Sequence, residues 1–117
     1  MENDQFKNAL IMITKKGMGS GEPELQQKLL KTYLSLLNEN DLLPGAICFY
    51  TDGVKLIAEE SPILDVLKKL ELKGVSLIVC QTCLRFYQLE NEVKAGIIGG
   101  MTDIIAAQTK ASKVVSI

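Results

Sequence analysis

Two cysteines three residues apart, Cys80 and Cys83, carry the most reactive side chains of the sequence, and they follow directly on an apolar run from Val75 to Val79. The run is nearly continuous, β-branched at both ends and introduced by the helix-stopping Gly74, so it predicts a strand buried on both faces, as in a parallel sheet. Cys80 is then the first residue off the strand and half-exposed, where open α/β sheets gather ligand and catalytic groups. Thr82 is the expected N-cap of a short helix starting at Cys83, which brings backbone N–H groups and the positive end of a helix dipole near both sulfurs. Arg85 stands two residues further on, and a cation in that position favours thiolate. Cys80, in the strand-to-helix loop, is expected to be more accessible than Cys83, in the first helical turn.

A Cys-x-x-Cys pair in this setting has three readings. The two residues can be small hydrophobes that fill space. They can be a thioredoxin-like redox site, in which the second thiol resolves a mixed disulfide formed by the first. Thioredoxin-like domains use a cis-proline downstream of that motif, whereas Pro23, Pro44 and Pro62 all lie upstream here. In the third reading the pair is a sulfur carrier: Cys80 as thiolate attacks a sulfane sulfur, holds it as a persulfide and passes it to an acceptor thiol. Cys83 then has a secondary role, resolving the persulfide or shaping the loop. The third cysteine, Cys48, lies in the middle of an apolar run and reads as core.

The sequence has no histidine. That removes Ser-His and Cys-His catalysis and every Cys/His zinc pattern, and three cysteines cannot complete a four-thiolate site in one chain, so no metal is expected. A net charge of −1 argues against nucleic acid or an anionic membrane surface as partner. No apolar run approaches the ~18 residues of a membrane span. An odd number of cysteines with no signal-peptide pattern suggests a soluble protein of the reducing cytoplasm. At 117 residues the chain supports one domain over 1–117, able to bury a core without disulfides.

Five strands alternate with helices in the expected layout. Ala9 to Ile13 is a buried first strand after a loose polar start over Met1 to Lys7. A glycine loop leads to a long helix, capped by Ser20 or Gly21, with Pro23 in its first turn and Leu25, Leu29, Tyr33, Leu36 and Leu37 as its stripe, widened by Leu30 and Leu34. Ala46 to Tyr50 is the second strand, followed by a loop at Thr51 to Gly53, a short helical segment over Val54 to Ala58, and a helix from Ser61-Pro62 to Lys73. After the cysteines come short helical turns, a fourth strand over Ala95 to Ile98, a helix capped by Thr102 that buries Ile104 and Ile105, and a terminal strand from Lys113. Such alternation implies a three-layer α/β/α sandwich around about five mostly parallel strands.

Gly17, Gly19 and Gly21 have the spacing G-x-G-x-G, which lacks the lysine and hydroxyl of a phosphate loop and misses the dinucleotide fingerprint. Together with Asp52 and Gly53 they form a candidate anion or ligand loop, weighed against a plain turn for tight strand-to-helix packing.

Leu77 to Tyr87, LIVCQTCLRFY, with FYTDGVKL upstream, MITKKGMGSGEPEL near the start and MTDIIAAQTKASKVV near the end, resembles the DsrE/DsrF-like family. The similarity is greatest to the DsrE-like domain of YedF-type, selenium-metabolism-associated proteins, and it covers almost the whole chain. The resemblance implies a cytoplasmic sulfurtransferase-like or sulfur-relay protein with an α/β/α sandwich, no organic cofactor and a habit of forming homo- or hetero-oligomers. Its partners would be sulfur donor and acceptor proteins, with a TusA-like protein among the candidates, since this chain begins at the first strand without the TusA-like domain of YedF-type proteins. Members such as the TusD subunit of the bacterial sulfur relay carry the reactive cysteine at the position matching Cys80 and lack the second. Two rivals stand beside the carrier: a non-catalytic assembly subunit whose thiols matter little, and a small-ligand or anion-binding module using the Gly17 to Gly21 loop. Phe86, Tyr87 and Leu89 after the thiols, with the resemblance, predict that the chain self-associates.

Overall fold

Five short apolar runs become five strands: β1 (Ala9–Ile13), β2 (Ala46–Phe49), β3 (Ser76–Cys80), β4 (Ile97–Gly99) and β5 (Lys113–Ser116). The computed structural model describes residues 6–117, so most of the expected loose start lies outside the described residues. The strands pair in the order β4-β3-β2-β1-β5, and all four pairings are parallel. The expectation of a mostly parallel sheet thus sharpens to an all-parallel one.

Five α-helices connect the strands: α1 (Pro23–Glu39), α2 (Lys55–Ala58), α3 (Leu64–Leu72), α4 (Gln81–Phe86) and α5 (Met101–Lys110), with a 3-10 turn over Thr51–Val54 ahead of α2. Strand order and crossover handedness together decide the layers. From β1 to β4 the chain steps across the sheet in one direction, so its right-handed crossovers place α1, α2, α3 and α4 on one face. From β4 to β5 it steps back, which sends α5 to the other face. One layer is therefore thick and the other is a single helix.

The thick side holds most of the core. Ile11, Ile13, Ile47, Phe49, Leu77 and Val79 are buried with Leu30, Leu34 and Leu37 of α1 and Leu67 and Leu70 of α3. The buried stripe of α1 differs from the expected one. Leu25, Leu29 and Leu36 are exposed, because α1 carries leucines on two adjacent faces and spacing alone does not tell which face meets the sheet. Its N-cap is Glu22 without a side-chain cap bond, in place of Ser20 or Gly21. Gly74 adopts φ +102° and lets the Val75 N–H return to the Leu70 carbonyl at 3.1 Å, a glycine-terminated end to α3.

On the thin side, α5 starts two residues earlier than expected. Gly100 takes the N-cap, and its N–H donates to Asp103 Oδ2 at 2.8 Å, so Thr102 lies within the helix and is not its cap. Ile104 is buried but Ile105 is half exposed. A single helix crossing a face can seat only one stripe against it.

Candidate functional site

Both thiols sit where β3 becomes α4. Pairing of Cys80 with Gly99 extends β3 by one residue, so Cys80 is the last residue of the strand and not the first beyond it. It also takes the N-cap position of α4, with Thr82 inside the helix. These shifts overturn the expected accessibilities. Cys80 is only 2% exposed, whereas Cys83, one turn along α4, is half-buried and reaches the surface.

The sulfurs of Cys80 and Cys83 lie 3.2 Å apart in a shared hydrogen bond. In that bond Cys83 donates to Cys80, and a backbone donor reaches Cys83 in turn from the loop after β2: the Thr51 N–H points at its Sγ, at 3.1 Å. Thr51 has φ +47°, a left-handed conformation that a β-branched residue adopts only when its surroundings impose it. The clamps are on hand. The Thr51 hydroxyl lies 2.6 Å from the Thr14 carbonyl and 2.7 Å from that of Tyr50, while the Tyr50 N–H donates to Ile13 at 3.1 Å. Two residues on, a Cβ at Gly53 would collide with the Ile13 carbonyl oxygen, so only glycine lets this loop lie against the end of β1.

Beyond Thr51 the same loop holds the other end of α4. Tyr87, which closes that helix, donates its hydroxyl to Asp52 Oδ1 at 2.8 Å. Lys55 Nζ reaches the same oxygen at 3.1 Å and lies 4.3 Å over the Tyr87 ring. The Tyr87 hydroxyl first, and then Lys55, hold the Asp52 carboxyl below its usual range. Reciprocally, Asp52 raises both Lys55 and Tyr87. A phenol, a carboxylate and an ammonium thus fix the loop to α4.

The local electrostatics favour the neutral thiol at Cys83. Partial burial raises its pKa, the contact with Cys80 adds to the rise, and the Thr51 N–H opposes both. Arg85 does not supply the cation expected of it: its Nε donates to Glu90 Oε2 at 2.9 Å, an oxygen that also accepts from Gln81 at 3.2 Å. Glu90 could not be linked to the site by sequence spacing, because a turn after α4 brings it back. Cys48 is fully buried, and desolvation pushes its thiol up to about 11.

Of the candidate loop residues, the fold brings Asp52 and Gly53 to the thiols but engages the glycine loop elsewhere. The Met18 N–H donates to the Gln26 carbonyl at 2.9 Å, the Gln26 side-chain amide donates to the Gly19 carbonyl at 2.7 Å, and a Cβ at Gly17 would collide with Gln26. The loop is packed down on α1, as a tight turn requires. The sequence places the Tyr50 to Gly53 loop on the rim of the thiols but assigns no role to Thr51 or Lys55. Their signal was FYTDGVKL itself, a loop at a strand's carboxyl end on the same rim as Cys80. A cavity of about 460 Å³ opens between the sheet and α5, lined by Leu10, Ala46, Ile78, Ile98 and Lys110 among others. It holds no thiol, and its carboxylate, Asp103, is occupied in capping α5. Among the described residues no cluster of three or more cysteine, aspartate or glutamate side chains that could hold a metal ion comes together.

An all-parallel five-stranded α/β sheet with a paired-thiol site at the end of its third strand defines the class. The chain belongs to the DsrE/DsrF-like family, whose model matches residues 7–117. Among solved structures it is similar to the ychN protein from E. coli, with a TM-score of 0.70 at 18% identity, covering 96% of this chain and 100% of that one. It is also similar to a conserved protein of unknown function from Bacteroides thetaiotaomicron, with a TM-score of 0.68 at 14% identity over 94% and 95% of the two chains. A protein of unknown function from Methanobacterium thermoautotrophicum matches with a TM-score of 0.69 at 18% identity, over 93% and 97%. These likenesses concern the fold. No curated protein matches the sequence.

Proposed function

We propose that this protein is a sulfurtransferase-like carrier of a sulfur relay, holding sulfane sulfur as a persulfide on Cys80 with Cys83 beside it. The observation that carries the reading is the 3.2 Å contact between the two sulfurs at the carboxyl end of β3, where one of them reaches solvent. Space-filling cysteines need no such pairing, and a thiol that meets solvent can meet a partner's thiol. Membership of the DsrE/DsrF-like family, associated in general with sulfur relay, supports the same conclusion. The partners on this reading are a sulfur donor and an acceptor protein, with a TusA-like protein as one candidate, and further copies of the chain itself. The chemistry is that of thiols in the cytoplasm, and no cofactor enters it.

The test is retention of sulfane sulfur. After incubation with inorganic polysulfide and removal of the excess, cyanolysis should release thiocyanate from the wild type and almost none from Cys80→Ser. Equal release from both would remove Cys80 as the carrier.

A further inference from the structure

We propose that sulfur enters through Cys83 and not through Cys80, with the Thr51 backbone N–H as the donor that holds the charge on the Cys83 sulfur, and that Cys80 receives the sulfur second, as an inner storage position. The inference rests on the carrier reading above and assigns the order of events within it.

Three observations carry it. Cys80 is 2% exposed while Cys83 reaches the surface, so a donor protein's persulfide meets Cys83 first. The Thr51 N–H lies 3.1 Å from Cys83 Sγ, and a donor aimed at a sulfur stabilises it most when the sulfur is ionised. Finally, the aim is imposed. Thr51 holds a left-handed φ of +47° that its side chain disfavours, kept there by its hydroxyl contacts to Thr14 and Tyr50, and strain of this kind persists where surrounding structure over-determines it.

The steps balance without oxidant or reductant. Cys83 gives up its proton to solvent, and its thiolate attacks the outer sulfur of a donor R–S–SH. The new S–S bond forms as the donor's own S–S bond breaks, leaving R–S⁻ and Cys83–S–SH. Cys80 Sγ then attacks that outer sulfur from the adjoining position. The bond to Cys83 breaks, its electron pair stays on Cys83 Sγ facing the Thr51 N–H, and the proton of Cys80 passes to Cys83. The products are Cys80–S–SH and Cys83–SH, and the sulfane sulfur keeps its oxidation state throughout.

Time-resolved loading with inorganic polysulfide, quenched by alkylation and mapped by fragmentation of the peptide holding both cysteines, tests the order. The extra sulfur should be found on Cys83 first and on Cys80 later. Cys83→Ser should load roughly tenfold or more slowly, as burial of the remaining thiol implies, while Cys80→Ser should load promptly and fail to keep its sulfur. Thr51→Val, which deletes the hydroxyl clamp, should move the pH profile of Cys83 alkylation to higher pH, and Thr51→Ser should restore it. First labelling at Cys80, wild-type loading of Cys83→Ser, or an unmoved pH profile in a Thr51→Val protein shown to be folded by circular dichroism would overturn the assignment while leaving the carrier intact. A wild type that takes up no sulfur at all would overturn the carrier and this assignment together.

Discussion

The three cysteines have the same side chain and three different environments, and their reactivity should separate accordingly. Cys48 is covered on both faces of β2 and its thiol is pushed up to about 11, so iodoacetamide should label it only after unfolding. Rapid labelling in the folded state would contradict its place in the core. Cys83 should be labelled before Cys80. Because its pKa lies above the ordinary 9.0, its thiolate fraction is small at neutrality, and the labelling rate should go on climbing as pH is raised through that value. A rate that levels off near neutral pH would mean a depressed pKa and a different source of positive potential. Sequence spacing correctly put the two thiols on one strand-to-helix junction. It reversed their accessibility because one extra ladder pair, Cys80 with Gly99, depends on β4, which spacing around the cysteines does not reveal.

The elements around the thiols make their own predictions. Gly53 lies so close to Ile13 that a methyl group has no room, and Gly53→Ala should cost about 1–3 kcal/mol of stability, as overpacking does. Urea unfolding of the variant measures it, and an unchanged midpoint would mean that the loop can lift off β1. On α1, Leu34→Ala should cost about 2–5 kcal/mol as a core truncation, while Leu36→Ala, at an exposed position, should stay within about 0.5 kcal/mol. Comparable losses would say that both faces of the helix are buried. Tyr87→Phe removes the first cause of the low Asp52 pKa. A depressed carboxylate stabilises the fold above its ordinary pKa of 3.8 and loses that contribution as pH falls through the lowered value. The variant should therefore be less stable than the wild type at about pH 7 and converge with it in acid; a gap that persists in acid would point to lost packing instead. The strands and long helices were legible from apolar runs, Gly74 and Pro23. The buried face of α1, the cap of α5 and the grip of Asp52 on Tyr87 were not, because each depends on partners far apart in the chain.

At the scale of the whole molecule, the uneven layers matter most. With α5 alone on one face, Met101, Ile105, Ile97, Ile98 and Val114 remain exposed, and so does Phe86 beyond the thiols, which gives the expectation of self-association a physical basis. Light scattering should show particles larger than one chain at micromolar concentration, and Ile105→Asp should reduce them; a strictly monomeric wild type would contradict this. Among the described residues no helix is long and apolar enough to cross a membrane. β3, the loop at Thr51 to Gly53 and the Asp52–Lys55–Tyr87 cluster meet around the Cys80–Cys83 contact, the pair proposed to carry sulfur. Intact-mass spectrometry tests that role most directly, by comparing the wild type with the double variant Cys80→Ser/Cys83→Ser after exposure to inorganic polysulfide. The wild type should gain the mass of one sulfur atom, lost again on reduction, and the double variant should gain nothing. A wild type that gains nothing, or a double variant that gains the same mass through Cys48, would contradict it.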